Sequence, residues 1–157
     1  MRRKILIILV LLMVIVAGCS NDKVDETAHV DSEGSKAYYS FTDSLGNSVM
    51  LQEKPQRVVS LVGSYTQTWM LAGGEVIGVT DDVISEGRFE ISEEISIVGT
   101  VKEPNVEEVL SLSPDFVLLS PDIENHLKIR QILEDAAIPH AYFKVEYFED
   151  YLKMLDI

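Results

Sequence analysis

The chain has 157 residues, which is enough for one domain of ordinary size. Acidic residues number 26 against 13 lysines and arginines, so the formal net charge is −13. A surface of this sign repels phosphate backbones and argues against nucleic-acid binding. The single cysteine, Cys19, excludes an internal disulfide framework and a cysteine-rich zinc site.

The first nineteen residues have the order of a bacterial lipoprotein signal. Three basic residues at 2–4 precede an apolar run of 13 residues at 5–17, shorter than the roughly 20 that a membrane-spanning helix needs. The run ends in Val-Ala-Gly-Cys at 16–19, which has the form of a lipobox with a nucleophilic thiol. We therefore expect removal of 1–18 as a signal peptide, lipidation of Cys19, and anchoring on the extracytoplasmic face of the cell membrane. An uncleaved anchor is the alternative.

Residues 20–36 contain no aromatic side chain and several acids. Such a segment buries too little apolar area to order itself, so residues 19–36 are predicted to form a disordered tether. The folded domain is expected at 37–157.

Short apolar segments separated by turns and helical patterns fill the rest of the chain. A β-hairpin is predicted at 38–42 and 48–51, and further strands at 57–62, 76–79, 95–98, 116–119 and 141–145. Helices are predicted from a Ser64 cap to about 72, from an Asn105 cap with Glu108 as its capping-box partner, from about 122 to 137, and from 148 onward. Residues 81–88 are predicted to be a polar loop.

Two helices have amphipathic patterns that predict their buried faces. In the helix at 122–137 the apolar stripe consists of Ile129, Ile132, Leu133 and Ala136. In the last helix it consists of Tyr151, Leu152 and Leu155, with Phe148 as a further candidate. This last helix carries no C-cap signal, so we expect the sequence to be the front part of a longer protein or a truncated gene product.

Strands that alternate with helices predict an α/β fold with a mostly parallel sheet flanked by helices and preceded by the hairpin. Ligands of such sheets bind at the carboxyl ends of the strands. The order of segments is then recognisable: "FTDSLGNSVML", "KPQRVVSLVGSYTQTWMLAGGEVIGVTDD", "VGTVKEPNVEEVLSLSPDFVLLSPD" and "LEDAAIPHAYFKVEYFEDYLKML". Together they resemble the N-terminal lobe of the class III periplasmic binding proteins of ABC importers, which carry ferric siderophores, haem and cobalamin.

This resemblance implies a solute-binding lipoprotein that delivers its ligand to a membrane permease and its ATPase, with no enzymatic activity and no cofactor. The ligand is expected to be a ferric siderophore or related iron chelate. The family holds ligand between two lobes, and the resemblance covers the N-terminal one. A truncated remnant without transport activity and a small flavodoxin-like cofactor-binding protein are the alternatives.

The resemblance and the strand ends together nominate the site residues. Glu107 is expected to dock on permease arginines, with a helix-dipole acid as the alternative. Trp69 is expected in the core, and Gln67 replaces a glutamate common in the family. Asp81 and Asp82 end a predicted strand and are candidates for the ligand cleft, with a solvated acidic turn as the favoured alternative. The candidate ligand-binding residues are Ser64, Tyr65, Asp82, Thr100, Lys102, Asp122 and Tyr147.

The remaining chemistry-bearing residues are assigned structural roles. His29, His126 and His140 have no zinc-ligand spacing and are predicted to be structural or solvent-exposed. The run Gly73-Gly74-x-x-x-Gly78 follows a helix and enters a strand, which is the wrong order for a dinucleotide-binding loop. Sequence motifs of hydrolases, zinc proteases and P-loop enzymes do not occur.

Overall fold

The computed structural model describes residues 37–157. The predicted signal peptide, the lipidation site Cys19 and the tether lie outside this part of the chain and remain predictions. Seven strands are described: β1 (Tyr39–Thr42), β2 (Ser48–Leu51), β3 (Val58–Ser60), β4 (Gly78–Val79), β5 (Ser96–Ile97), β6 (Phe116–Leu119) and β7 (His140–Tyr142). Six helices accompany them: α1 (Gly63–Leu71), α2 (Asp82–Ser85), α3 (Val106–Ser111), α4 (Glu124–Lys128), α5 (Arg130–Asp135) and α6 (Phe148–Leu155).

Strands β3 to β7 form one parallel sheet in the order β5-β4-β3-β6-β7. The chain moves outward from β3 to β5 and then returns to the other side of β3 with β6. The carboxyl ends of β3 and β6 therefore flank the point at which strand order reverses, where open α/β sheets place their ligands. The predicted fold class is confirmed.

Apolar residues cover both faces of the sheet because successive side chains of a strand point to opposite sides. On β6, Phe116 and Leu118 pack with α1, α2, α6 and the hairpin, whereas Val117 and Leu119 pack with α3 and α5. The continuous apolar run Phe116–Leu119 is buried throughout, as a central parallel strand requires.

The antiparallel hairpin β1–β2 is joined to the edge strand β7 through its turn. Asp43 is 8% exposed and accepts the backbone N–H of Tyr142 at 3.2 Å. The N–H of Ser44 donates to the Tyr142 carbonyl at 2.8 Å, and its hydroxyl accepts the N–H of Lys144 at 2.8 Å. These bonds hold the hairpin against the sheet although it shares no strand ladder with it.

Two predicted elements are wrong in detail. Residues 81–88 contain the helix α2 rather than an uninterrupted loop. The helix predicted at 122–137 is two short helices that meet at Ile129. Within its predicted stripe, Ile129 and Leu133 are buried, but Ile132 is 41% exposed and Ala136 is also exposed. The break at Ile129 changes the helix phase, so the spacing no longer describes one face.

The buried face of α6 also differs from the prediction. Met154 is the buried residue of this helix and packs in the cluster that contains Trp69. Leu152 and Phe148 are exposed, while Tyr151 and Leu155 are half-buried. Within 37–157, no helix has the length and apolar character needed to cross a membrane.

Candidate functional site

Five segments follow the parallel strands and meet at one edge of the sheet. We call this surface the carboxyl rim, and it comprises residues 61–65, 80–82, 98–102, 120–122 and 143–147. Every predicted ligand-binding residue lies in one of these segments, because the carboxyl ends of parallel strands converge. The fold thus brings the predicted residues to one side of the domain.

Asp82 has its carboxylate tied to neighbouring chain segments. Its Oδ2 accepts the backbone N–H of Gly63 at 2.7 Å, and its Oδ1 accepts the hydroxyl of Thr80 at 2.7 Å. This links the end of β4 to the first turn of α1, where a negative charge is favourable. A side chain on Gly63 would collide with it, since an added Cβ would lie 2.7 Å from Oδ2. Asp82 therefore organises the rim, and the idea of a solvated acidic turn is wrong for this residue.

Tyr65 lies in the core beneath the rim, with 8% of its surface exposed. Its hydroxyl donates to the Phe143 carbonyl, and its ring meets the Phe143 ring edge to face at 6.2 Å. Burial raises the pKa of the phenol. The aromatic face of Tyr65 is thus used in packing.

Ser64 does not cap the first helix, which corrects the prediction. Val62 occupies the N-cap position, with extended backbone and no side-chain cap, and Ser64 lies within the first turn. The Asp82 carboxylate accepts the Gly63 N–H in place of a cap. Ser64 is half-buried on the rim.

Thr100 and Lys102 lie in a tight turn after β5. The Thr100 hydroxyl accepts the N–H of Glu103 at 3.0 Å, and Asn125 donates its side-chain amide to the Lys102 carbonyl at 2.7 Å. The Lys102 side chain is exposed, and its ammonium makes no ion pair within residues 37–157. Its charge is therefore available to an anionic ligand.

Asp122 is exposed and forms an ion pair across the rim. Lys144 lies 3.5 Å from Asp122 and 3.0 Å from Glu146, measured from its Nζ to the nearer carboxylate oxygens. The hydrogen bond to Glu146, then the charge of Asp122, raises the pKa of Lys144. Unlike the Lys102 charge, that of Lys144 is already balanced by two carboxylates.

Tyr147 is 70% exposed at the start of α6. Its backbone N–H donates to the Asp150 carboxylate at 3.2 Å, and this bond contributes most to lowering the pKa of Asp150. Phe148 follows it and is also exposed, with its ring stacked on that of Tyr151 at 6.2 Å. Tyr147 thus presents an aromatic ring to solvent beside the ion pairs of Lys144.

Glu107 lies in the first turn of α3 with an exposed side chain. Asn105 caps this helix as predicted, because its Oδ1 accepts the N–H groups of Glu107 at 3.1 Å and Glu108 at 3.3 Å. The reciprocal half of the capping box is absent, since the Asn105 N–H donates to the Val98 carbonyl at 2.8 Å. Both the docking role and the helix-dipole role of Glu107 agree with this placement.

His126 is structural, which is one of the two predicted alternatives, but its position at the rim was not predicted. His126 is completely buried and hydrogen-bonded through both ring nitrogens to rim backbone. Periodicity offered no signal, because the residue lies in a helix of five residues that has no apolar stripe of its own. Trp69, by contrast, is in the core as predicted, and its indole donates to the Glu75 carbonyl at 3.0 Å.

A cavity of about 470 Å³ adjoins the rim between the hairpin and α6. Phe41 and Phe143, stacked at 6.1 Å, lie in its wall together with the charged side chains of Lys144, Asp150 and Lys153. Within 37–157, no three His, Cys, Asp or Glu side chains are grouped to hold a metal ion.

Similar sequences occur among the binding proteins of Bacillus subtilis. The chain is 30% identical over 112 residues to YvrC, an uncharacterized ABC transporter substrate-binding lipoprotein of Bacillus subtilis, covering 70% of this chain and 34% of that one. It is 29% identical over 137 residues to YfmC, the Fe(3+)-citrate-binding protein of the same organism, covering 85% and 42%. No protein-family model matches.

A solved structure supplies the fold comparison. The periplasmic catecholate-siderophore-binding protein VctP from Vibrio cholerae superposes with a TM-score of 0.59 at 22% identity, over 75% of this chain and 43% of that one. The resemblance to substrate-binding proteins of ABC importers is confirmed. The chain spans between 34% and 42% of the length of the curated relatives it matches, so the activity of a whole substrate-binding protein is a proposal for this chain.

Proposed function

We propose that this chain is the N-terminal lobe of an extracytoplasmic, lipid-anchored solute-binding component of an ABC importer. In this role it binds a ferric siderophore or a related iron chelate and delivers it to a membrane permease driven by an ATPase. The observation that carries the proposal is the convergence of five strand ends into a rim on which Lys102 has no ion pair among residues 37–157. The relatives of this chain include an Fe(3+)-citrate-binding protein.

The rim fits a binding surface better than a catalytic one. Its carboxylates at Asp82 and Asp122 are engaged by backbone, hydroxyl or ammonium groups, and its buried phenol, Tyr65, donates to a carbonyl. Lys102 offers a charge that has no ion pair in the described part of the chain, and Tyr147 offers an exposed ring. These two features suit the recognition of an anionic chelate with aromatic or carboxylate groups. Recognition of this kind needs no chemistry on the ligand.

The glycine run at 73–78 does not favour the flavodoxin-like alternative. Gly73 has φ +87° and closes α1, and Gly74 lies against the Trp69 indole. These glycines thus serve a helix end and a close packing contact.

A titration tests the ligand class. The full chain is titrated with ferric citrate, a ferric tris-catecholate, haem and cobalamin while tyrosine and tryptophan fluorescence is followed. We expect quenching by the ferric chelates. Tight binding of haem or cobalamin without a response to either ferric chelate would overturn the ligand class, and no response to any of them would overturn the carrier function.

Replacing Lys102 with glutamine is expected to weaken binding of ferric citrate by about three- to tenfold and to reduce its dependence on salt, because an exposed attraction is lost. Lys54→Gln is the matched control: Lys54 is also exposed but precedes β3, at the opposite edge of the sheet. Equal affinities of the two variants would show that Lys102 does not contact the ligand.

Replacing Glu107 with alanine is expected to reduce uptake of radioactive ferric chelate by cells at least tenfold while leaving chelate affinity unchanged, because a carboxylate–guanidinium pair with the permease is lost. Glu94→Ala, another exposed acid, is the control. Normal uptake by the Glu107 variant would contradict the docking role. So would a weaker affinity for the chelate together with unimpaired transfer of the chelate to the permease.

A further inference from the structure

His126 is completely buried and bonded through both ring nitrogens. Its Nδ1 lies 3.1 Å from the backbone nitrogen of Ser120, and its Nε2 lies 2.8 Å from the carbonyl oxygen of Val101. A backbone N–H can only donate and a carbonyl can only accept. The ring is therefore neutral, with Nδ1 as acceptor and the proton on Nε2.

The two partners of His126 belong to different segments of the carboxyl rim. Val101 lies between Thr100 and Lys102 after β5, whereas Ser120 follows β6. In the sheet, β4 and β3 separate β5 from β6, so no strand ladder joins these segments. His126 provides a bridge between them, and Asn125 adds a second link to the Lys102 carbonyl at 2.7 Å.

Several titratable groups surround this bridge. The negative charge of Asp82, on α2, raises the pKa of the imidazole. Tyr142, on β7, donates its hydroxyl to the His126 carbonyl at 3.0 Å. The bridged segments carry Lys102 and Asp122, and α4 itself carries Glu124 and Lys128. Burial lowers the pKa of His126, and the bond to Val101 and the Asp82 charge oppose it without cancelling it.

We propose that His126 is a positioning residue that couples segments 100–102 and 120–122 of the rim, and that protonation of its Nδ1 releases this coupling and the ligand. Protonated Nδ1 becomes a donor and faces the Ser120 N–H, which is also a donor. The two segments then lose their common anchor, and the turn that carries Lys102 is freed from β6. Only the effect on ligand rests on the proposed function.

The direction of the pH dependence follows from the lowered pKa. The ordinary pKa is 6.5, and the folded value lies below it. The unfolded chain therefore binds the proton more readily, so the stabilisation is complete above pH 6.5 and is lost as the pH falls through the folded pKa. Ligand affinity is expected to fall over the same acidic range.

Three variants of His126 distinguish the contribution of its bond to Ser120 from that of its bond to Val101. His126→Asn retains an acceptor near the position of Nδ1, His126→Gln retains a donor near that of Nε2, and His126→Phe removes both while keeping a ring. His140→Phe is the matched control, because His140 bonds the Ile138 carbonyl at 3.0 Å at the amino end of β7, away from the rim.

Amide hydrogen exchange of the full chain in mild detergent measures the coupling without any ligand. We expect exchange in 100–103 to accelerate about tenfold in the Phe and Asn variants, and exchange of the Ser120 amide to accelerate similarly in the Phe and Gln variants. The control should change neither segment. Should the Phe variant fail to fold, the Asn and Gln variants give the same comparison one bond at a time.

Two further readouts complete the test. Nitrogen NMR of the wild-type imidazole is expected to show the proton on Nε2. Ferric citrate affinity is expected to fall as the pH is lowered below 6.5 in the wild type but not in His126→Gln. A proton on Nδ1, or unchanged exchange in both segments of folded variants, would overturn the coupling. Altered exchange without any binding of ferric citrate would uphold the coupling and count against the proposed function instead.

Discussion

Replacing Asp43 with alanine is expected to lower the free energy of unfolding by about 3 to 4 kcal/mol. The Asp43 carboxylate is almost completely buried and accepts four hydrogen bonds. Its Oδ1 receives the N–H groups of Leu45 at 3.0 Å and Asn47 at 2.8 Å. Its Oδ2 receives the Asn47 amide at 2.9 Å and the Tyr142 N–H at 3.2 Å.

The loss of stability is large because one of the N–H groups that would lose the Asp43 carboxylate cannot be reached by water. The turn amides of Leu45 and Asn47 can be rehydrated, but the Tyr142 N–H is buried and would be left without an acceptor. Loss of this bond also weakens the attachment of the hairpin to β7. Asp43→Asn is expected to fall between wild type and alanine, since its amide nitrogen cannot accept.

Denaturant unfolding followed by circular dichroism measures this difference. Asp135→Ala is the control, because Asp135 is exposed and accepts one bond from the neighbouring Gln131 at 2.9 Å. Its cost is expected to stay below about 0.5 kcal/mol. Similar losses in the two alanine variants would show that the hairpin is not held by Asp43.

Replacing Gly74 with alanine is expected to destabilise the fold by about 2 to 3 kcal/mol through overpacking. A Cβ at this position would lie 2.1 Å from Nε1 of Trp69, so the indole must move. Trp69 is buried, and its Nε1 donates to the Glu75 carbonyl at 3.0 Å. Displacement of the ring therefore removes a hydrogen bond as well as packing.

Gly73→Ala separates this steric cost from backbone strain. Gly73 has φ +87°, but a Cβ there would meet no atom within 4 Å. Alanine is expected to cost about 1 kcal/mol at Gly73, from the left-handed backbone alone. Thermal unfolding of both variants, with near-ultraviolet circular dichroism as the probe of Trp69, makes the comparison. A Gly73 variant less stable than the Gly74 variant would contradict the packing described for Trp69.

The sequence predicted the order of the strands because each strand is a short apolar run bounded by turn residues. The segment at 116–119 is buried on both faces as its composition indicated, and Asn105 caps α3 as its position indicated. Patterns of this kind depend on residues that are adjacent along the chain, so they can be identified in the sequence. Element ends were less predictable, as the strand expected at 57–62 shows: its ladder covers Val58–Ser60.

The errors share a physical cause, which is contact between residues distant in sequence. Asp82 takes the place of a cap on α1 from 19 positions away, so Ser64 did not need to serve as one. Met154 is buried because α6 packs its face on the cluster around Trp69, which the pattern of the last ten residues does not contain. His126 bridges Val101 and Ser120, and neither partner is identifiable without the sheet order.

Contacts between residues distant in sequence also decide which part of the candidate site could be predicted. The rule that ligands lie at carboxyl strand ends placed Lys102 and Asp122 on the same rim. The rule does not say which of these side chains is already engaged. Lys144 is neutralised by Asp122 and Glu146, whereas Lys102 has no ion pair within the described residues.

The most direct test of the central claim is a nitrogen–proton NMR titration of the full chain with gallium citrate, with ferric citrate added afterward. Gallium is diamagnetic and reports contact, and high-spin iron then broadens the amides nearest the metal. The account predicts that shifts and broadening are confined to the carboxyl rim, strongest at 100–102 and 144–147. Perturbation of residues at the opposite edge, such as 54–57 and 138–140, or no perturbation of a folded chain, would contradict it.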